Sequence, residues 1–198
     1  MLCLPENFYL ADPTAVAREL LGKHLVRRVD GQRVSGVITE TEAYRGEEDM
    51  ACHARSGMTR RNSVMYGLPG RAYIYFTYGM HWCFNAVCGP QGFPAAVLVR
   101  ALKPDEGLEF IAGRRQGIKQ QDWCSGPARL CKALAIAGDL NGVYLCEVDS
   151  PLLIEDAPRV DDAFVTATAR VGIQYAPEPW RSLPWRFRFN QVRAITDG

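Results

Sequence analysis

The chain has 198 residues, of which 47% are hydrophobic and 23% are charged, with a net charge of +1. These values fit one folded domain over residues 1–198 and exclude a disordered chain. No apolar run approaches the ~18 residues of a membrane span, and the first residues lack the pattern of a secretory signal, so we expect a cytoplasmic protein.

The first predicted elements are a helix and a hairpin. Asp12-Pro13 and Gly22 are residue types that begin and end a short helix. Alternating apolar residues over 24–29 and 33–41, joined by Asp30-Gly31, predict a β-hairpin with a two-residue turn.

The second strand of this hairpin continues into Glu40-Thr-Glu-Ala-Tyr44. Simple alternation along a strand predicts one face formed by Ile38, Glu40 and Glu42, and an opposite face formed by Val37, Thr39 and Thr41. A polar loop that contains glycine follows over residues 45–70.

The later elements mix strands and helices without regular alternation. Apolar and aromatic runs predict strands over 73–78, 82–87 and 95–102, and short strands near Leu152, Val165 and Phe187. Residues 105–115 and 128–137 are predicted to be helical, the latter with Ser125 as N-cap. The sequence therefore predicts an α+β fold with a curved, mostly antiparallel, open barrel-like sheet flanked by helices.

The seven cysteines include no Cys-X-X-Cys pair. Their odd number favours reduced thiols, most of them buried as small apolar groups. A zinc site formed by Cys83, Cys88 and His53 is an alternative with poor ligand spacing. The sequence also lacks the motifs of zinc deaminases, phosphate-binding loops and hydrolase nucleophile elbows.

Positive charge is unevenly distributed along the chain. Residues 50–104 contain no Asp or Glu, but they do contain basic residues, namely Arg55, Arg60, Arg61, Arg71, Arg100 and Lys103. Arginine is the better bidentate ligand for phosphate, so we expect phosphate contacts from Arg55, Arg60, Arg61 and Arg71. A solvated basic face is the alternative.

Glu42 is a candidate general base. It ends a half-buried strand beside Tyr44, and a carboxylate near aromatic walls can be tuned to hold and activate a water molecule. On these residues alone, a solvated carboxylate at a strand end is the alternative.

Three tyrosines in the next strand form a second candidate feature. Tyr73 and Tyr75 share one face by the period of two, and Tyr78 follows beside a turn at Gly79. Aromatic side chains can stack on a flat base, which contributes about 1–3 kcal/mol per base, and a side chain at a turn can act as a wedge. An aromatic core strand is the alternative.

Seven motifs occur in a characteristic order. They are Glu40-Thr-Glu-Ala-Tyr44, Ala51-Cys-His53, Arg61-Asn62, Tyr73-Ile-Tyr-Phe-Thr-Tyr-Gly-Met80 with Asn85, Val99-Arg-Ala-Leu-Lys-Pro104, Cys124-Ser-Gly-Pro-Ala-Arg-Leu-Cys131 and Ala169-Arg-Val-Gly172. Together, from about residue 7 to 190, they closely resemble the alkyladenine (3-methyladenine) DNA glycosylase family.

The resemblance implies a base-excision-repair enzyme. Such an enzyme flips an alkylated or deaminated purine out of duplex DNA and hydrolyses its N-glycosidic bond with an activated water. Glu42 matches the general base, and Arg100 matches the arginine that helps to hold the water. The residues that match the base pocket are Tyr44, His53 and Tyr75, which hold the flipped base, and Asn85, which discriminates against guanine. Tyr78 matches the intercalating wedge.

The resemblance also implies how the reaction proceeds. It implies no metal, no cofactor and no lysine Schiff base, with double-stranded DNA containing damaged purines as partner. We expect a monomer, because chemistry on one lesion needs only one copy of the chain. The sequence departs from the family pattern at His81, where a tyrosine is expected, and in two extra residues around 89–94. Both departures bear on which lesions are accepted.

Two other functions remain open at this point. One is a catalytically inactive module that binds DNA lesions on the same scaffold, against which the presence of Glu42, Arg100 and His53 argues. The other is a hydrolase or transferase acting on a free nucleoside or a small carbonyl substrate, for which the wedge Tyr78 has no use.

Overall fold

A computed structural model describes residues 2–189 of the chain. Its α-helices are α1 (Glu6–Tyr9), α2 (Pro13–Glu19), α3 (Leu108–Arg114) and α4 (Pro127–Ala133). Its strands are β1 (His24–Val29), β2 (Gln32–Arg45), β3 (Ala72–Thr77), β4 (His81–Val87), β5 (Ala95–Glu106), β6 (Leu152–Glu155), β7 (Val165–Thr168) and β8 (Arg186–Phe189). Short 3-10 helices cover Ser63–Tyr66, Gln120–Asp122, Gly138–Leu140 and Asp162–Phe164.

The strands form one antiparallel sheet in the order β3-β4-β5-β2-β1-β6, with β8 joining β2 to β7. Strand β2 is central, because β5 pairs along one edge while β1 and then β8 pair along the other. The sheet curls into a half-barrel, which confirms the predicted α+β class with a curved antiparallel sheet.

Local signals at the start of the chain are confirmed. The Asp12 side chain accepts a hydrogen bond from the Thr14 amide at 2.9 Å and so caps α2. Asp30 and Gly31 have φ values of 51° and 73°, as a two-residue primed turn requires. The short strands expected near Leu152, Val165 and Phe187 correspond to β6, β7 and β8.

The predicted helix over residues 105–115 is wrong at its start. Strand β5 continues to Glu106, because Pro104 pairs with Gly36 and Glu106 pairs with Ser35 across the sheet. Gly107 then reverses the chain in the left-handed region, with φ of 69°, and the helix begins at Leu108. Tertiary pairing thus overrides the local helix-start signal.

The second predicted helix is also corrected. Helix α4 begins at Pro127 after Gly126 and ends at Ala133, before the expected end. Ser125 does not cap it: its hydroxyl oxygen accepts a hydrogen bond from the Arg129 guanidinium at 2.8 Å instead.

The simple alternation predicted for β2 is wrong. The register between β2 and β5 shifts between Ile38 and Glu40 and again between Glu40 and Thr41. Such a bulge turns side chains from one face of a strand to the other. As a result Ile38 lies in the hydrophobic core, whereas Glu40 and Glu42 both contact Arg100. Thr41 and Glu42 are both completely buried because both faces of β2 are covered here: the Thr41 hydroxyl donates to the Ala17 carbonyl of α2 at 2.7 Å, and Glu42 lies on the opposite face.

The hydrophobic core has three parts, the smallest formed by Ala51, Ile173 and Ala176. The main part fills the space between the sheet and the helices, with Leu20, Phe84 and Leu134 among its fully buried side chains. A smaller cluster around Cys52 and Tyr73 lies beneath the functional pocket described below. Five of the seven cysteines are buried, as predicted. Among the described residues, no helix has the length and apolar character to cross a membrane.

A substitution at Gly36 tests the close contact between β2 and β5. A Cβ atom at this position would lie 2.9 Å from the Lys103 carbonyl oxygen and 3.1 Å from the Pro104 Cα, and backbone atoms cannot easily move away. We therefore expect Gly36→Ala to lower the free energy of unfolding by about 1–3 kcal/mol in urea denaturation. Gly113→Ala in α3, where a Cβ meets open space, is the control and should raise it by about 0.5–1 kcal/mol. Equal stability of the two variants would contradict this packing.

Candidate active site

A pocket of about 230 Å³ opens beside the β3–β4 hairpin. Six of the residues predicted from sequence line it, namely Tyr44, His53, Tyr75, Tyr78, Asn85 and Arg100. Glu42 does not line the pocket, but three pocket residues surround its carboxylate. The fold thus brings the candidate catalytic and base-binding residues to one place.

Sheet register explains this convergence. Tyr73 pairs with Asn85, Asn85 pairs with Leu98, and Leu98 pairs with Glu42. Residues directly opposite each other in neighbouring strands project from the same face, and strands are about 4.8 Å apart. These four residues form a cross-strand row over β3, β4, β5 and β2. The row connects the aromatic wall of the pocket to the carboxylate of Glu42.

His53 forms one wall of the pocket with the tyrosines of β3. Its ring meets Tyr75 edge-to-face at a centroid distance of 4.5 Å, and its Nδ1 lies 2.9 Å from the Tyr73 hydroxyl. The loop that carries it is held by the buried Asn62 amide, which donates to the His53 carbonyl at 2.9 Å and to the Gly57 carbonyl at 3.0 Å. Hydrogen bonds within this loop therefore hold the aromatic wall of the pocket in place.

The charge state of His53 follows from its surroundings. Burial among aromatic rings, with Arg61 and Arg55 nearby, lowers the pKa of His53 to about 4. The imidazole is therefore neutral at physiological pH. A Tyr73 hydroxyl that donates to Nδ1 would leave the ring proton on Nε2, where it could be donated to a ligand.

Asn85 is fixed by its cross-strand partner. The side chain is buried, and its Nδ2 donates to the Tyr73 carbonyl at 3.0 Å. One amide donor is therefore used inside the sheet, and the orientation of the group at the pocket is set by β3.

The Glu42 carboxylate accepts three hydrogen bonds from three parts of the chain. The Val171 amide donates to Oε1 at 2.7 Å, while the Tyr44 hydroxyl at 2.9 Å and the Arg100 guanidinium at 3.3 Å donate to Oε2. All three donor residues line the pocket. The donors thus form the part of the pocket wall that covers Glu42.

Burial dominates the protonation of Glu42. The residue has no exposed surface, and this desolvation raises its pKa, although Arg100, the Val171 amide and the Tyr44 hydroxyl act in the opposite direction. A carboxylate with a raised pKa that is still held by cationic and neutral donors has the properties of a general base.

Arg100 is held by a second carboxylate. Its Nε donates to Glu40 at 2.7 Å, and the same Glu40 oxygen accepts from Arg186 Nε in β8 at 2.8 Å. Arg188 lies 3.8 Å from the other oxygen of Glu40. Glu40 therefore links β5 and β8 and fixes the guanidinium that faces Glu42.

Tyr78 projects from the tip of the β3–β4 hairpin. It is 86% exposed and adopts a left-handed backbone with φ of 51°, which is uncommon for a residue with a side chain. Met80 in the same turn is 67% exposed. The hairpin thus presents large side chains to solvent at the rim of the pocket.

The arginines that were predicted to contact phosphate do not all lie near the pocket. Arg55 stacks on Tyr175 at 5.0 Å and Arg61 on Tyr75 at 5.4 Å, both residues of the pocket wall, and Arg60 lines an adjoining groove. Arg71 instead precedes β3 at the end of the strand away from Tyr78. There it stacks on Tyr144 and donates to the Gly142 carbonyl, so the structure does not bring it to the pocket.

Sequence reasoning missed three residues at this site. Arg170 and Asp49 form a completely buried ion pair, and the neighbouring Val171 amide contacts Glu42. The sequence contained one signal, the Ala169-Arg-Val-Gly172 motif, but no role could be attached to it. Within residues 2–189 no group of three or more His, Cys, Asp or Glu side chains is arranged to hold a metal ion.

His53 provides a test of the pocket electrostatics. We expect its imidazole to titrate near pH 4, below the ordinary value of about 6.5, because burial and the nearby arginines disfavour its charged form. A pH titration by nitrogen-15 NMR separates it from His24 and His81, and His53→Gln assigns its signal. An ordinary pKa for His53 would show that the pocket is wetter than described.

Comparison with known proteins places the chain in a family. A model of the methylpurine-DNA glycosylase (MPG) family matches residues 7–193. A protein of Methanocella arvoryzae is 47% identical over 188 residues, covering 94% of this chain and 92% of the relative. A protein of Desulfitobacterium hafniense is 48% identical over 202 residues, covering 98% of each chain. A protein of Carboxydothermus hydrogenoformans is 45% identical over 195 residues, covering 98% of this chain and 99% of the relative. All three relatives bear the name "Putative 3-methyladenine DNA glycosylase". The chain belongs to the methylpurine-DNA glycosylase family.

Proposed function

We propose that this protein is a monofunctional DNA glycosylase that removes alkylated or deaminated purines from duplex DNA. The damaged nucleotide rotates into the pocket, and a water activated by Glu42 hydrolyses its N-glycosidic bond. Neither a metal nor a cofactor takes part, and a monomer over residues 1–198 is sufficient because one lesion is processed at a time.

The cross-strand row is the observation that carries this proposal. It connects an aromatic pocket lined by Tyr75 and His53 with a buried carboxylate that a guanidinium and a hydroxyl also contact. An enzyme that cleaves a base from its sugar needs these two features about one nucleotide apart. Family membership agrees with this chemistry.

DNA binding begins at the rim of the pocket. Arg55, Arg60 and Arg61 engage phosphates, and Tyr78 enters the stack as the damaged nucleotide leaves it. A side chain that fills the vacated space offsets part of the few kcal/mol that unstacking costs. The left-handed tip at Tyr78 suits this role because its side chain is 86% exposed and is not packed into the core.

Base recognition follows inside the pocket. The flipped purine lies between Tyr44 on one side and His53 and Tyr75 on the other, and the Nε2 proton of neutral His53 is available to a purine acceptor. Asn85 occupies the position where the amino group of an undamaged guanine would collide. The buried Nδ2 bond to Tyr73 prevents Asn85 from moving aside.

Bond cleavage is a hydrolysis in which water supplies the nucleophile. The water oxygen bonds to C1′, its proton passes to Glu42, and the electrons of the C1′–N bond leave with the purine, which neutralises an alkylated cationic base. The negative charge of Glu42 also stabilises the developing positive charge on the sugar. The contact of Arg100 with Glu42 is the longest of the three, at 3.3 Å, and the water enters between these two groups.

The choice of water as nucleophile is supported by the composition of the pocket. Lysine is absent from the described residues that line it. A Schiff-base mechanism with strand cleavage needs an amine at C1′. Simple hydrolysis, which leaves an abasic site, therefore fits better.

Glu42→Gln tests the general base. The amide oxygen can still accept from the Val171 amide and the NH2 group can donate to the Tyr44 hydroxyl oxygen, but the side chain cannot take a proton, so we expect turnover to fall at least about 100-fold while lesion-containing DNA is still bound. The assay scores alkali-labile abasic sites in methylated DNA and in a duplex with one hypoxanthine, with chelator present.

Glu48→Gln is the matched control, because this carboxylate is exposed and forms its ion pair with Arg45 at the end of β2. It should retain wild-type turnover. Full activity of Glu42→Gln would remove Glu42 from the mechanism. A wild type that binds lesions tightly but cuts neither DNA would favour the binding-module alternative.

Tyr78→Ser tests the wedge. Without the ring the flipped state is held less well, so the fluorescence of a 2-aminopurine next to the lesion should increase less on binding. Met80→Ser, in the same exposed turn, controls for a general loss of surface contact. An unchanged signal in Tyr78→Ser would argue against intercalation at this residue.

A further inference from the structure

Arg170 and Asp49 form an ion pair with no exposed side-chain surface. The guanidinium contacts both carboxylate oxygens, at 2.5 and 2.8 Å. Asp49 also accepts from the backbone amides of Arg45 at 3.1 Å and Ala51 at 3.0 Å. The carboxylate therefore ties the loop after β2 to the segment that follows β7.

The remaining contacts of Arg170 hold it against β2. Its guanidinium donates to the Ala43 carbonyl at 2.9 Å and to the Trp180 carbonyl at 3.3 Å. It also lies over the rings of Tyr44 at 4.8 Å and Trp185 at 5.1 Å. Ala43 and Tyr44 directly follow Glu42, so Arg170 is anchored to the same short piece of strand as the proposed base.

The residue after Arg170 contacts the base itself. The Val171 amide donates to Glu42 Oε1 at 2.7 Å, the shortest of the three hydrogen bonds to this carboxylate. This amide belongs to the peptide bond that joins Arg170 to Val171. It can therefore keep its direction only while Arg170 stays in place.

We propose that the buried Arg170–Asp49 pair is a positioning device, which fixes the Val171 amide on one oxygen of Glu42 so that the carboxylate is oriented for its water. Arg170 and Asp49 act through Val171 and touch no substrate. The inference rests on the proposed role of Glu42 as general base.

Stability alone is a poor reason for such a pair. Removing two charges from water is costly, and apolar residues of similar volume often replace a buried pair without loss of stability. Apolar packing cannot, however, set the direction of a backbone amide as a bidentate guanidinium does. The bidentate geometry of the Arg170–Asp49 pair is therefore suited to orienting the Val171 amide.

The charges around Glu42 set the sign of the expected effect. Groups that act on it are Arg100 from β5, Glu40 and Tyr44 from β2, Tyr75 from β3, Arg170 from the segment after β7, and Arg186 from β8, which is bonded to Glu40. Burial raises the pKa of Glu42, and the Val171 amide lowers it. Loss of this amide raises the pKa further, so the base becomes protonated at a higher pH.

Comparison of Val171→Pro with Val171→Ala tests the amide directly. Both variants lose the valine side chain, but only proline lacks the N–H group. Using methylated DNA, whose cationic bases need no acid to leave, we expect the acid limb of the kcat profile to move to higher pH in Val171→Pro. On the acid side kcat should fall about tenfold relative to Val171→Ala, with recovery at high pH, because one charge-assisted hydrogen bond is lost.

The ion pair is tested by the double variant Asp49→Asn, Arg170→Gln, which leaves no lone buried charge. Its acid limb should move in the same direction, with kcat changed more than KM. Arg170→Lys keeps the positive charge but not the bidentate geometry of the guanidinium. Its acid limb should therefore lie between those of the double variant and the wild type. Acid limbs that coincide in all variants, with only the melting temperature lowered, would reduce the pair to a structural role and overturn the inference.

A readout without turnover separates this inference from the proposed function. Carbon-13 NMR of Glu-labelled protein, with Glu42→Gln for assignment, follows the Glu42 carboxyl titration in each variant. A higher titration point in Val171→Pro than in Val171→Ala supports the positioning device even if no DNA is cut, in which case the glycosylase proposal fails by itself. Equal titration points overturn the inference even if the wild type is an active glycosylase.

Discussion

The structure depends on one buried negative charge. Glu42 has no exposed surface, and a carboxylate in that position is tolerated only if hydrogen bonds replace its lost hydration. A hydroxyl, a guanidinium and a backbone amide do so, and they come from β2, β5 and the segment after β7. Each donor residue also forms part of the pocket wall. The groups that stabilise the carboxylate are thus the groups that line the pocket.

Precision at the site comes mainly from the sheet. The cross-strand row fixes Glu42 relative to Tyr73 and Asn85 through backbone pairing, which is stiffer than any loop. Two further carboxylates hold the side chains around Glu42 in place: Glu40 binds Arg100, and Asp49 binds Arg170. The residues that we propose meet DNA first lie instead on a hairpin tip and on loops, where movement on binding costs less.

Sequence patterns predicted the parts of this arrangement that depend on local chemistry. Asp12, Asp30 and Gly31 were readable because capping and primed turns need particular residues. The separation of Ile38 from Glu40 and Glu42 was not readable, because the bulge in β2 arises from pairing with β5 and leaves no local mark. The start of α3 was misplaced for the same reason. The Arg170–Asp49 pair joins residues 121 positions apart, which no local period can indicate. His53 and Asn85 were identified through the family motifs rather than through pattern, Tyr78 through both, and the roles of all three stay proposals.

The central claim is that the protein releases a damaged purine by hydrolysis. The most direct measurement is a single-turnover reaction on methylated duplex DNA with chelator, in which the released base is identified by chromatography while borohydride is present to trap covalent intermediates. The account predicts free methylated purine, a DNA strand that breaks only after alkali, and no protein–DNA adduct. A borohydride-trapped adduct with strand cleavage before alkali, or DNA from which no base is released, would contradict it.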